Sequence, residues 1–192
     1  MKQQGLRPIW KRKFVHTTNS NHHLPVAENL LNRQFNPKAI NQSWVSDITY
    51  IRTRSGWVYL AVVMDLFSRK IVGWAMAPHM RAELVISAMQ LAIAQRQPAP
   101  GLIAHSDRGS QYAGSAYQAL LIRNEIRCSM SRKGNCWDNA CSETLFGSLK
   151  VERLHGMRLQ TRRQAKDEVI DWLIRTRCTG CSSLSFSKRW RS

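Results

Sequence analysis

Glu143 and Lys150 stand seven residues apart in the stretch 137–152, WDNACSETLFGSLKVE. The stretch reads as a helix, and seven residues nearly close two helical turns, so both side chains fall on one face. Asn139, one turn before Glu143, lies close to that face. An amide, a carboxylate and an ammonium in one line present polar chemistry to whatever stands opposite. Two more carboxylates stand out. Asp47 sits in the middle of 44–52, WVSDITYIR, a strand-like run rich in Trp, Val, Ile, Thr and Tyr. Asp is disfavoured in strands and costly to bury unless paired or bound to metal. Asp107 follows 101–106, GLIAHS, at the carboxyl end of a short strand, where ligands gather in sheets of this kind. Singly, each has a bland reading, such as an Asp on the exposed face of an edge strand. Together, three carboxylates suit two divalent ions that share oxygen ligands. One ion would activate a water or a 3′-hydroxyl and the other would stabilise a leaving oxygen, which is the chemistry of phosphoryl transfer.

The elements that must hold these residues follow from apolar patterning. After 44–52, the continuously apolar 57–64, WVYLAVVM, reads as a central strand and 71–77, IVGWAMA, as the next, an antiparallel meander. Asp65 between them is most simply a turn residue. Val85, Ala88, Met89 and Ala92 mark a helix over 81–97. The strand 101–106 follows, then one helix marked by Ala113, Ala116, Tyr117 and Leu120, with Ser110 as its N-cap. Residues 126–130 alternate as a half-buried strand, and the loop 131–136, SRKGNC, leads into the Glu143 helix. Ala165, Val169, Trp172 and Leu173 mark a last amphipathic helix. Three strands, helix, strand, helix, strand, helix is an α/β order: a mixed five-stranded sheet flanked by helices.

Charge points to the partner. The 192-residue chain carries 29 Lys and Arg against 12 Asp and Glu, a net +17. A balance that basic favours a polyanion, with nucleic acid the default and a merely soluble basic surface the alternative. Residues 1–40 hold seven cations and one acid, 148–192 eleven and four, and the middle eleven and seven. The ends therefore look like backbone-holding arms, while the middle concentrates carboxylates that a DNA-facing domain should avoid unless they are used. No apolar run approaches the roughly 18 residues of a membrane span, and the first residues carry no apolar signal core, so a cytoplasmic, nucleoid-associated protein is expected. Five cysteines without a secretion signal argue against a disulfide framework, and Cys178-Thr-Gly-Cys181 lacks the second pair that a zinc site needs.

Three segments, WVSDITYIRTRSGWVYLAVVMDLFSRKIVGW, HSDRGSQY and SRKGNCWDNACSETLFGSLKVE, resemble the catalytic core of bacterial insertion-sequence transposases. The specific kin are those encoded in two overlapping reading frames, related to retroviral integrases. The resemblance covers roughly residues 5–174. It implies a ribonuclease H-like fold, in agreement with the element order. Asp47 matches the family's first Asp, Asp107 its second and Glu143 its Glu, with 35 residues between the last two as in the family. Lys150 matches the basic residue seven positions beyond the acid. The resemblance implies an Asp-Asp-Glu triad that holds Mg2+, or Mn2+ in its place, for donor-strand cleavage and strand transfer by direct transesterification. It also implies DNA contacts by Lys150, Asn139, Arg132 and Lys133. The partners would be insertion-element ends and target DNA, with a homo-oligomer on DNA and no membrane.

The organisation expected is a basic N-terminal arm or linker over 1–40, with solvated His16, His22 and His23 and with Leu30, Leu31 and Phe35 able to dock a short turn, and an integrase-like catalytic core over 41–160. A C-terminal helix over 161–175 and a divergent tail over 176–192 follow. The family carries a helix-turn-helix region upstream of its core, and this chain starts about where that region finishes. End recognition is thus expected from elsewhere, for instance a first-frame helix-turn-helix protein. The family also continues past its last helix with a Tyr-Asn pair and an Arg-x-His stretch. The reading RTRCTGCSSLSFSKRWRS in that place looks like a frameshifted ending. CSETLF around Glu143 is a smaller departure, since bulkier or more acidic neighbours and paired aromatics are common there. The competing expectations are a catalytically inactive DNA-binding remnant and a ribonuclease H-like nuclease without strand transfer.

Overall fold

A computed structural model describes residues 24–32, 34–132 and 140–178; of residues 140–143, 177 and 178 it describes the backbone only. The five strands are β1 (Ser43–Thr53), β2 (Gly56–Asp65), β3 (Ile71–Ala77), β4 (Ile103–Ser106) and β5 (Arg127–Met130). They form one sheet in the order β3-β2-β1-β4-β5. β1, β2 and β3 pair antiparallel, whereas β4 and β5 join the other side of β1 in parallel. The helices are α1 (Ala82–Arg96), α2 (Ser110–Ala113), α3 (Ser115–Arg123), α4 (Ala140–Ser148) and α5 (Arg162–Cys178).

Two hydrophobic layers cover the two faces. One face of β1 and β2 presents Val45, Ile51, Val58, Leu60, Val62 and Met64 to Leu145, Phe146 and Leu149 around α4 and to Val169 and Trp172 of α5. The opposite face presents Trp44, Ile48, Ala61 and Val63 to Val85, Ala88 and Met89 of α1 and to Tyr112, Tyr117 and Leu121 of α2 and α3. β2 reads as a continuous apolar run because both of its faces are covered. α1 lies close to β3 because Gly73 has no side chain: a Cβ there would stand 2.2 Å from the Ala88 carbonyl oxygen. Asp65 is the turn residue its position suggests. It is fully buried, and its carboxylate accepts the Asn41 and Ser68 N–H groups and the Ser68 hydroxyl.

Three expectations change. The helix beginning at Ser110 is two helices, with Gly109 rather than Ser110 at the N-cap of the first. The break is Gly114, whose backbone is extended at φ −65°, ψ 143°. Gln118 makes the break affordable to the backbone, because its side-chain amide donates to the Tyr112 carbonyl at 2.7 Å. The Glu143 helix does not run to 152 as an α-helix: α4 ends at Ser148 and the chain widens into a π-helical stretch, Leu149–Leu154. Finally, the described part of the 1–40 segment is packed on the core rather than standing off as an arm. Leu31 is buried among the α4 and α5 layer with Phe35 against it. Met130 N–H of β5 donates to the Glu28 carbonyl, and the Leu30 and Leu31 N–H groups donate to the Ser129 hydroxyl. The short docked turn expected of Leu30, Leu31 and Phe35 is what ties this segment down. No helix among the described residues is long and apolar enough to cross a membrane.

Candidate active site

Asp47 and Asp107 are brought together by sheet register. β1 and β4 pair in parallel as Ser43↔Ile103, Trp44↔Ala104 and Val45↔His105, a constant offset of 60. Two steps further along the same register stand Asp47 and Asp107. The β1–β4 pairing stops just before them, so the carboxylates sit where the two strands part. Such a fork at the carboxyl end of a parallel strand is the general position of ligand sites in α/β sheets. Both residues are half-buried. Asp47 Oδ1 accepts the Ile48 N–H at 2.7 Å, and Asp107 Oδ1 accepts the Gly109 N–H at 2.9 Å. Each backbone contact orients a carboxylate.

Tyr112 of HSDRGSQY, to which its sequence context gives no role, lies within reach of both charges. Its ring is fully buried, and its hydroxyl is 3.2 Å from Ser46 Oγ on β1. Burial holds this phenol well above its ordinary range, the charges of Asp107 and then Asp47 push it the same way, and the Ser46 contact opposes them. One buried hydroxyl therefore feels both carboxylates. The edge of the Tyr112 ring meets Tyr117 at 5.3 Å between centroids, which fixes the plane of the phenol.

α4 lies on the same sheet face as Asp47, since Leu145, Phe146 and Leu149 pack with Val45 and Val62, and Val62 is the cross-strand partner of Asp47. Glu143 is in the first turn of this helix, and its side chain lies outside the described atoms. Lys150 is in the π-helical stretch, with Nζ 5.2 Å from the centroid of the Tyr50 ring. Partial burial lowers its ammonium from the ordinary lysine range, and the nearby Asp47 charge counteracts that. Lys150 thus reaches the neighbourhood of Asp47 from α4's side of the sheet. Arg132 is exposed just after Ser131, whose carbonyl accepts the Arg108 Nε–H at 2.6 Å. Lys133 and Asn139 lie outside the described residues, as do Cys181 and His16, His22 and His23.

Behind the site, β4 and β5 are locked by a hydrogen-bond relay. The Ser129 hydroxyl accepts two N–H groups, from Leu30 at 2.9 Å and Leu31 at 3.2 Å. With both lone pairs in use, its proton goes to His105 Nδ1, 2.9 Å away. This assigns buried His105 as the neutral ring with its own proton on Nε2, two residues before Asp107.

The donor set fits hard cations. Carboxylate oxygens are the ligands Mg2+ takes, and two half-buried Asp side chains stand near one buried phenol. Sequence reasoning could find Asp47 and Asp107 by residue type, but not their common register, which exists only once the sheet is assembled.

Comparisons with known proteins identify the family and the fold. The family described as Integrase core domain matches residues 37–136. The chain is 47% identical over 173 residues to the transposase InsF of insertion sequence IS3A from Escherichia coli K12. It is 46% identical over 172 residues to an uncharacterized 31 kDa protein of insertion element IS600 from Shigella sonnei. Each alignment covers 90% of this chain, but the chain spans only 60% and 63% of the respective relatives. Among solved structures, the simian T-cell lymphotropic virus intasome in complex with a PP2A regulatory subunit matches with a TM-score of 0.59 at 20% identity, over 79% of this chain and 53% of that one. The catalytic domain of Mos1 mariner transposase matches with a TM-score of 0.57 at 16% identity, over 70% of both chains. The HTLV-2 integrase catalytic core domain in complex with magnesium matches with a TM-score of 0.53 at 17% identity, over 72% of this chain and 87% of that one. These likenesses show a shared fold, the ribonuclease H-like mixed sheet of integrase and transposase catalytic cores.

Proposed function

Because this chain belongs to the integrase core domain family, with insertion-sequence transposases among its relatives, we propose that it catalyses Mg2+-dependent DNA strand cleavage and strand transfer. Asp47, Asp107 and Glu143 are the triad in this reading. The observation that carries it is that Asp47 and Asp107 each stand two residues beyond the last β1–β4 pair, Val45↔His105, with α4 on the Asp47 face. The three carboxylates would hold the cations, which when bound supply charge neutralisation and acidify an attacking hydroxyl. In cleavage, a water oxygen attacks the scissile phosphorus, the bond from phosphorus to the 3′ oxygen breaks, and the 3′-hydroxyl leaves. In strand transfer, that hydroxyl attacks a target phosphorus and displaces another 3′ oxygen, so one phosphodiester replaces another.

The chain's own residues contribute orientation and charge. The Ile48 and Gly109 N–H groups aim the two Asp carboxylates. Lys150, offset from Asp47 and partly desolvated, holds a backbone phosphate near the scissile bond, and Arg132, Lys133 and Asn139 contact DNA around it. DNA ends and target are the substrates, a homo-oligomer on DNA joins two ends, and a first-frame helix-turn-helix protein supplies end recognition. A DNA substrate would place the protein at the nucleoid.

The test is a cleavage and joining assay on duplexes carrying element ends, with Mg2+ or Mn2+. The unmodified chain is expected to nick and join, while Asp47→Asn, Asp107→Asn and Glu143→Gln lose both steps and keep most DNA binding. Binding without nicking or joining by the unmodified chain would make it a DNA-binding remnant. Cleaved products that are never joined would make it a nuclease.

A further inference from the structure

The β1–β2 hairpin extends beyond β4, whose pairing with β1 ends at Val45. On and beside this overhang four side chains stand in a row, and three of them, Tyr50, Trp57 and Arg52, have no part in the chemistry above. Lys150 Nζ lies 5.2 Å from the Tyr50 ring centroid, and the Tyr50 and Trp57 rings meet edge to face at 5.2 Å and 77°. The Arg52 guanidinium then lies 5.9 Å from the Trp57 ring centroid. Arg52 and Trp57 are also directly cross-strand neighbours. The row thus alternates cation, ring, ring, cation, and it starts at the lysine that senses Asp47.

Packing does not account for Trp57. It is 40% exposed, whereas Trp44 and Trp172, which do serve the core, are 0% and 6% exposed. The platform is nonetheless held firmly. The Arg54 and Ser55 N–H groups donate to the Leu159 and Gln160 carbonyls, and Arg162 Nε donates to the Trp57 carbonyl. Gly56, at φ +118°, passes so close to the Arg162 guanidinium that a Cβ would stand 2.5 Å from it. Arg52, Arg54, Lys150 and Arg162 are all exposed here, so the surface complements a polyanion.

We propose that Trp57, flanked by Arg52 and Tyr50, is a stacking site for an unpaired base of a DNA strand whose backbone runs towards Lys150. Aromatic faces bind base faces, and in an intact duplex those faces are already stacked; alternating rings and cations therefore select a single strand. The site rests on the transposase reading and adds to it a preference for frayed or overhanging ends next to the carboxylates. Lys150 joins the two regions, since it lies over Tyr50 and within reach of the Asp47 charge.

Fluorescence anisotropy of the full chain tests this, with a labelled blunt duplex and the same duplex carrying four unpaired thymidines. The unmodified chain is expected to bind the overhang about tenfold more tightly than the blunt duplex, as one or two stacked bases would give. Trp57→Ala removes that preference and leaves blunt-duplex affinity unchanged, while Trp57→Phe keeps most of it. Arg52→Gln weakens binding to both duplexes. Should Trp57→Ala unfold by circular dichroism, Trp57→Leu retains apolar bulk without an aromatic face and gives the same readout. An unmodified chain without preference, or a Trp57 variant that keeps it, overturns the stacking site and leaves the transposase reading standing. No binding to either duplex overturns both.

Discussion

Asp65 and Asp47 occupy neighbouring strands in different surroundings, Asp65 fully buried and Asp47 half-buried. Asp65 accepts two N–H groups and a hydroxyl, all from its own turn and the residue-41 loop. Asp65→Ala leaves those donors without an acceptor and should lower stability by about 3 kcal/mol, read from urea denaturation. Asp47→Asn keeps an amide oxygen that accepts the Ile48 N–H, so it should change stability by less than about 1 kcal/mol while removing the proposed cleavage. The same assays therefore separate a structural carboxylate from a chemical one. Cys128 provides a pH test. Burial raises its thiol above the ordinary range, and the Gln118 amide, 3.3 Å from Sγ, counters part of the shift. The thiolate is the reactive form, so a raised pKa means less of it at any given pH. In a variant with Cys128 as the only cysteine, the rate of maleimide labelling should rise with pH through an inflection above that of a free thiol. Gln118→Ala should move the inflection higher still.

Elements were legible where periodicity is long. The strands β1 to β3 were read within a residue or two because Val, Ile, Thr and Tyr crowd into runs bounded by turn residues. α1 and α5 were read from apolar stripes. The division between α2 and α3 was hidden, since Ala113, Ala116, Tyr117 and Leu120 keep a helical rhythm across the extended residue Gly114. The π-helical stretch was hidden as well. Nothing in LKVERL distinguishes five-residue hydrogen bonding from four, although such stretches frequently mark functional sites and this one carries Lys150. Two glycine replacements test the packing of elements. Gly73→Ala drives a methyl into the α1 backbone and should destabilise by about 3 kcal/mol. Gly147→Ala, in α4 with open space around it, should stabilise by about 0.5–1 kcal/mol. Denaturant midpoints of the two variants should move in opposite directions.

At the scale of the molecule, β1 is the middle strand of the sheet, antiparallel on one side and parallel on the other. That position makes one strand serve the carboxylate fork, the Ser46 contact and the Tyr50 row together. The sequence showed the acids as anomalies of residue type, Asp within a strand and Asp after one. It could not show that 47 and 107 both lie just beyond the last β1–β4 pair, because that pairing depends on a crossover through β2, β3 and α1. Charge was legible without any structure, and it makes a prediction of the same scale. A chain at +17 that binds DNA through phosphates should lose affinity steeply and log-linearly with salt. A flat response between 50 and 200 mM salt, concentrations at which phosphate contacts of this kind differ by orders of magnitude, would undermine the electrostatic account.

The segment around Leu30 has a practical consequence. The family match begins at residue 37, but Ser129 on β5 takes both of its acceptor bonds from residues 30 and 31, and Leu31 is buried in the layer that α4 and α5 share. The homologous unit and the foldable unit are therefore of different lengths. A fragment trimmed to start at 37 would orphan the Ser129 lone pairs, free His105 to choose another ring proton, and uncover apolar surface of the layer in which Leu31 is buried. Comparing its urea midpoint with that of a fragment starting at 24 should show the shorter piece clearly less stable. Where this domain is cut decides whether the second aspartate's strand keeps its backing.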